Sequence, residues 1–364
     1  MRSGALKRSL CLLAALVFLL FAAACGRERP APPPAESTAS SDAPEADTSA
    51  LADAPEADTS ALADAAAYIL RTVPGPTCGS VGGEWAVLGL ARSGCGDAAW
   101  FETYYDSLTA YVQAQSGVLH TRKYTEYARV VLALTAIGKD PRDVGGYDLL
   151  APLGDFDRVT FQGLNGAVFA LLALDAGGYA VPEAPAGHTQ ATREGYLAEI
   201  LTYAVPGGGF ALDEEAADAD VDITAMALCA LAPYCADETV ANAARAAFLW
   251  LSAAQGADGD YGSAESNAQV LIALAAYGIA PTDARFVKNG SSAFNALRMY
   301  AVPGGGYCHT AGDAEANPMA SEQVLLALAA VTRQAAGESG LYAMTADADI
   351  PYLQLDAGGV NEEK

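Results

Sequence analysis

Histidine is nearly absent from this chain: His120, His188 and His309 are the only three in 364 residues. Only His309 has a thiol neighbour, Cys308, and that pair stands alone in a glycine-rich stretch. No Cys/His/Asp spacing of the kind that holds zinc occurs, so no metal site is expected. Basic residues are scarce as well. Lys and Arg total 20 against 44 Asp and Glu, a formal net charge of −24. Such a chain repels phosphate backbones and anionic headgroups, which argues against nucleic acid as a partner. Alternating runs of Val, Ile and Thr are missing, and with them the signal for β-strands. What remains is 52% hydrophobic, rich in alanine and leucine, with 36 glycines. That composition suits helices around a sizeable core.

The N-terminal residues read as an export signal. Arg2, Lys7 and Arg8 precede an apolar run over 10–24, and Ala22, Ala23 and Ala24 lead directly into Cys25 and Gly26. A basic stretch, an apolar core and a small-residue site are the parts of a secretory signal. The segment resembles a bacterial lipoprotein signal. That resemblance implies removal of 1–24, lipid on Cys25, and a protein exported and anchored to the outer face of the cell membrane. Residues 25–59 read as a tether, opening with Pro30, Pro32, Pro33 and Pro34 and passing into tandem copies of DAPEADTSALA at 42–52 and 53–63. Low hydrophobicity and negative charge disfavour a packed structure there. With Cys11 and Cys25 set aside, Cys78, Cys95, Cys229, Cys235 and Cys308 remain. An odd number leaves at least one free thiol; Cys78 with Cys95, and Cys229 with Cys235, are candidate pairs.

The body of the chain, 60–347, is repetitive. An Ala/Leu step recurs at Leu90, Leu134, Leu174, Leu231, Leu274 and Leu328, and repetition at such a period marks a repeat architecture. Between these apolar segments lie amphipathic ones, at 100–115, 196–204, 240–254 and 293–301. Six hairpins follow, each pairing an amphipathic outer helix with an inner helix apolar on all sides and therefore buried. The first and last hairpins are about as apolar as the middle ones. An open solenoid needs polar caps, so a closed ring is the better expectation. The fold class is accordingly all-α: an α/α toroid of about six hairpins, with 348–364 as a C-terminal tail.

Several joins carry glycines and an aromatic: VPGGGF at 205–210, VPGGGY at 302–307 and GADGDYG at 256–262. Trp250, Leu251 and Gln255, followed by Gly259, Asp260 and Tyr261, resemble the QW repeat of squalene cyclases with Tyr in place of the final Trp. With six hairpins, this is similar to the α/α toroid superfamily of terpene cyclases, protein prenyltransferase β-subunits and cobalamin carriers such as transcobalamin and intrinsic factor. The wording around 220–234, 263–281 and 317–330 also resembles exported bacterial prenyltransferase/squalene oxidase repeat proteins. The likeness covers about 61–347. It implies a fold more specifically than an activity.

In such a toroid the inner helices start at one mouth, where their first turns carry Glu84, Glu126, Asp222, Glu265 and Glu322. Trp85, Tyr127, Phe210, Tyr261 and Tyr307 lie nearby in sequence. An acidic, aromatic-lined recess is a candidate ligand site, although acids also gather at helix starts for capping and dipole reasons alone. Asp218, Asp220 and Asp222 precede the stripe Ile223, Met226, Ala227, Ala230 and Leu231, so Asp220 or Asp222 is expected to cap a helix. The run Asp220-Val221-Asp222-Ile223-Thr224-Ala225 resembles the acid motif of class II terpene cyclases, except that Ile223 stands where the last Asp belongs. By position Asp222 would be the catalytic general acid. Glu84 and Glu322, equivalent in the first and last hairpins, become neighbours if the ring closes, and paired carboxylates also serve inverting glycosidases. Gly94-Cys95-Gly96-Asp97 lacks the glutamine of a thioester site, which leaves Cys95 structural. Asn289-Gly290-Ser291 reads as a turn.

The leading expectation is a non-catalytic, membrane-tethered binding protein. Its ligand residues would be Glu84, Trp85, Glu126, Tyr127, Asp220, Asp222, Tyr261, Glu265, Tyr307 and Glu322. The resemblance to cobalamin carriers makes a corrinoid the concrete ligand. Those carriers clamp it with a small β-domain, for which the residues after Leu328 leave no room, so either a partner protein supplies one or the ligand is something else. A cyclase-like or prenyltransferase-like enzyme and a protein-interaction scaffold are the alternatives.

Overall fold

The computed structural model describes residues 59–345. The export signal, Cys25, the tether before Thr59 and the tail at 348–364 lie outside the described residues. The described chain is predominantly helical, with one two-stranded ribbon.

Its helices alternate in character, and we number them in chain order. The odd-numbered ones are α1 (Thr59–Thr72), α3 (Ala98–Ala114), the short α5 (Phe156–Val159), α7 (Arg193–Thr202), α9 (Glu238–Ala254) and the short α11 (Ala293–Ala296). The even-numbered ones are α2 (Trp85–Ser93), α4 (Thr125–Ala136), α6 (Leu164–Ala176), α8 (Val221–Leu231), α10 (Ala264–Ala276) and α12 (Pro318–Ala335). All six Ala/Leu steps fall in even helices, and Leu90, Leu134, Leu174, Leu231, Leu274 and Leu328 are all buried. Odd helices bury a single stripe; in α3 it is Trp100, Tyr104, Leu108 and Val112, spaced by four.

Local chemistry sets the starts. Asp97, Thr192, Asp220, Asp237 and Ser263 each cap a helix by accepting backbone N–H groups of its first turn. Ser292 and Asn295 form a reciprocal capping box, and Asn317 caps α12 ahead of Pro318. The expected outer helix at 293–301 is α-helical only to Ala296 and tightens to a 3-10 turn at Leu297–Met299. There the chain turns into the Gly304–Gly306 join, held by a bridge between Ala301 and Tyr307. The ribbon pairs Val287–Lys288 with Ser291–Ser292, so Asn289 and Gly290 form its turn, as the sequence suggests. The end of the second DAPEADTSALA copy lies in α1, which begins at Thr59.

Each even helix packs against the even helices before and after it, from α2 through α4, α6, α8 and α10 to α12, and α12 packs against α2. Four of the odd helices lie on the even helix of the preceding pair: α7 on α6, α9 on α8, α11 on α10, and α1 on α12. The glycine joins mediate this offset. A Cβ on Gly208 would come within 2.6 Å of Ala246 O in α9, and one on Gly305 within 2.5 Å of Asp64 O in α1. Both glycines also have positive φ, of 88° and 91°. Arg71 of α1 adds a bond to Gly304 O at 2.7 Å.

The joins share one anchor. The N–H of the join aromatic donates to a side chain of the following even helix: Phe210 to Thr224 Oγ1 at 2.9 Å, Tyr261 to Asn267 Oδ1 at 3.3 Å, Tyr307 to Ser321 Oγ at 2.9 Å. Gln255 of the QW-like stretch is buried and donates to Gly259 O and Phe286 O. At the other end of the even helices, residues 339–344 form a strap. Arg92 and Arg333 hold its carbonyls, and Met344 N–H reaches Ala176 O at the end of α6.

The anchors are directly testable. Thr224→Val strands the buried Phe210 N–H and is expected to cost about 1–3 kcal/mol, with Ser321→Ala comparable. The exposed Thr103→Val should change little. Urea midpoints of the three variants check this.

Candidate functional site at the even-helix N-termini

The Asp pair at the start of α8 divides its labour. Asp220 is the cap: its carboxylate accepts from Asp222 N at 2.9 Å and Ile223 N at 3.0 Å. Asp222, at the second helical position, is thereby released from capping. Its Oδ1 is buried and has no hydrogen-bond partner. Burial first, then the neighbouring Asp220 charge, pushes its carboxyl up to about 6, against a Ser266 hydrogen bond that lowers it; Glu265 raises it and His309 lowers it. His309 Nδ1 meets Glu265 at 2.8 Å, which lays the 307–310 loop against the start of α10.

A second group forms where the last even helix meets the first. Glu84 and Glu322 are each only 1% exposed. Glu84 Oε1 accepts from Gly79 N at 2.8 Å and from Tyr104 O–H at 3.3 Å. Glu322 Oε1 accepts from Gly82 N at 2.7 Å, so both carboxyls grip the loop that enters α2. Arg129 of α4 approaches Glu84 Oε2 to 3.6 Å. Burial pushes Glu322 up to about 8, with the Glu84 charge adding and the Gly82 bond opposing. Glu84 is also raised by burial, while Arg129, Gly79, Tyr104 and Cys78 pull it down. Burial, and then Glu84, hold the Cys78 thiol far above its ordinary range, with Glu126 close enough to contribute. The adjacency of Glu84 and Glu322 expected for a closed ring is therefore present. Glu322 itself lies in the second turn of α12, not the first, because Pro318 starts the helix four residues earlier.

Between these groups the aromatic residues separate into two kinds. Trp85 of α2 reaches across α4 to Phe169 of α6, with ring centroids 5.7 Å apart. That contact links two non-adjacent even helices near their starts. Tyr127 and Tyr261 are committed elsewhere: Tyr127 Oη accepts from Leu119 N, and Tyr261 O–H donates to Leu251 O. Phe210 and Tyr307 are buried in their joins. Trp85 and Phe169 are thus the aromatic pair that meets near these helix starts.

Eight buried side-chain N or O atoms among the described residues have no hydrogen-bond partner. Five of them lie just before or within the first two turns of even helices: Glu84 Oε2, Arg129 Nε, Asn165 Oδ1, Asp222 Oδ1 and Glu322 Oε2. Sequence reasoning missed Asn165, Arg129 and Phe169. Asn165 was findable, since it precedes Leu174 by the same interval as Asp222 precedes Leu231. Arg129 and Phe169 follow Glu126 and Asn165 by three and four residues, which puts them on the same helix faces.

Among the described residues no group of three His, Cys, Asp or Glu could hold a metal ion, and Cys78, Cys95, Cys229, Cys235 and Cys308 are all free thiols. No described helix is long and apolar enough to cross a membrane. Neither a family model nor a curated protein matches the chain.

The buried carboxyls set a pH dependence. A carboxyl raised in the folded state keeps its proton there after the unfolded chain has lost it. The folded form then binds more protons, and stability falls as pH rises. For Glu322 that window runs from about 4.5 to about 8. Glu322→Gln should flatten the decline across this window and gain stability relative to wild type at pH 8, as read from urea midpoints against pH.

Proposed function

We propose that this chain is an exported, lipid-tethered α/α toroid whose even-helix mouth binds a small-molecule ligand without transforming it. The observation that carries this reading is the gathering of buried, unpartnered polar atoms at the helix starts. A buried donor or acceptor with no partner costs about 1–3 kcal/mol. Each such atom calls for an explanation, and a ligand that supplies the missing bonds is one that accounts for several together. The pair of Trp85 and Phe169 adds apolar surface near the same helix starts. The cycle of even-helix contacts supports the toroid, and the lipoprotein-like signal supports the tether.

The resemblance to cobalamin carriers makes a corrinoid the first ligand to test, with a partner protein supplying the second half of the clamp. Titration of the purified protein with hydroxocobalamin and cobinamide, followed by absorbance and native mass, should show saturable one-to-one binding. Asp222→Asn and Glu126→Gln should weaken it by about tenfold each. No binding at high micromolar ligand removes the corrinoid. For the tether, labelled palmitate should enter the wild-type protein and not Cys25→Ala, which should leave the membrane fraction.

Catalysis by Asp222 is the second reading, favoured by its unpartnered Oδ1. A carboxyl raised to about 6 is a weaker acid than an ordinary one, whereas protonating an unactivated alkene calls for a stronger one. Squalene and shorter polyprenyl substrates should therefore be left unchanged. Product formed by wild type and lost in Asp222→Asn would reverse this ordering.

A further inference from the structure

The group that joins the first and last helix pairs has a hydrogen-bonding polarity more specific than its acidity. Glu84 Oε1 is saturated by Gly79 and Tyr104, but Oε2 has no hydrogen-bond partner. Arg129 Nε stands 3.6 Å from that oxygen, too far for an N–H···O bond, and is itself unpartnered. Glu322 Oε2, beside them, is a third such atom. Both glutamates are almost wholly buried, whereas the Arg129 side chain retains 16% exposure.

We infer that Glu84, Arg129 and Glu322 form a seat for a primary carboxamide carried by the ligand. This rests on the reading of the mouth as a ligand site and specifies what it takes. A carboxylate entering here meets Glu84 and Glu126. An ammonium meets the Arg129 guanidinium. A neutral group escapes both repulsions, and it must present an acceptor to Arg129 Nε and a donor to Glu84 Oε2 side by side. The carbonyl oxygen and NH2 of a primary amide do so from two adjacent atoms, with a second N–H left over. A hydroxyl has to serve both partners from one oxygen.

Fluorine NMR of the full-length protein in detergent tests this with four matched probes: 2-fluoroacetamide, fluoroacetate, 2-fluoroethylammonium and 2-fluoroethanol. The amide resonance should broaden saturably, and the other three should bind at least about tenfold more weakly. Arg129→Met and Glu84→Gln should each weaken the amide by about tenfold or more. Arg129→Lys keeps the charge and removes the Nε–H. It should lose the amide too, which covers the case in which a bolder variant fails to fold. Equal binding of fluoroacetate or fluoroethanol, or no amide response in the wild type, overturns the seat. Corrinoid binding without an amide response overturns the seat alone. An amide response that depends on Arg129 without corrinoid binding upholds the seat and removes only the corrinoid.

Discussion

The packing of α12 against α2 is the contact on which the rest of this structure depends. The even helices are apolar on nearly every side, so each needs neighbours on both flanks as well as an odd helix behind it. Only when the last even helix meets the first does every one of them have that cover. The same junction carries close backbone contacts, Gly305 against Asp64 O and the two buried glutamates against the loop entering α2. Apolar burial drives the closure, and glycine and carboxylate contacts set its register.

That junction also explains why the chemistry collects where it does. Carboxylates are favoured at helix starts by the macrodipole and by free N–H groups, and disfavoured by burial. In α8 the two demands fall on different residues: Asp220 meets the N–H groups at the surface, and Asp222 bears the burial. At the junction, Glu84 and Glu322 meet both demands at once by giving one oxygen each to the backbone and leaving the other unpaired. Burial dominates in each case, since all three carboxyls are shifted upward.

Much of the architecture was legible in the sequence, because the signal is periodic. The six Ala/Leu steps locate the even helices, and the glycine-aromatic joins mark the turns between pairs. Spacing could not say which of two nearby aspartates caps, because Asp220 and Asp222 both lie within reach of the helix start. Nor could it separate the aromatics. Tyr127 and Tyr261 lie as near the helix starts in sequence as Trp85 does, yet their hydroxyls are bound to backbone. Arg129 and Phe169 went unseen because they lie a turn inside helices otherwise read only for their apolar pattern. The third pair was also faint. Its outer element is the short α5 between 3-10 turns, with Pro152 and a Gly154 pressed against Pro182 O breaking any longer periodicity.

The contact between Asp64 and Gly305 joins residues near opposite ends of the described chain. Pairings so distant in sequence must wait for loop closure over the whole intervening length, which slows folding. A chain made from its N-terminus exposes α1 and α2 long before α12 exists to cover them. The first pair therefore has no complete partner during synthesis, and the native core forms only after the last even helix has emerged.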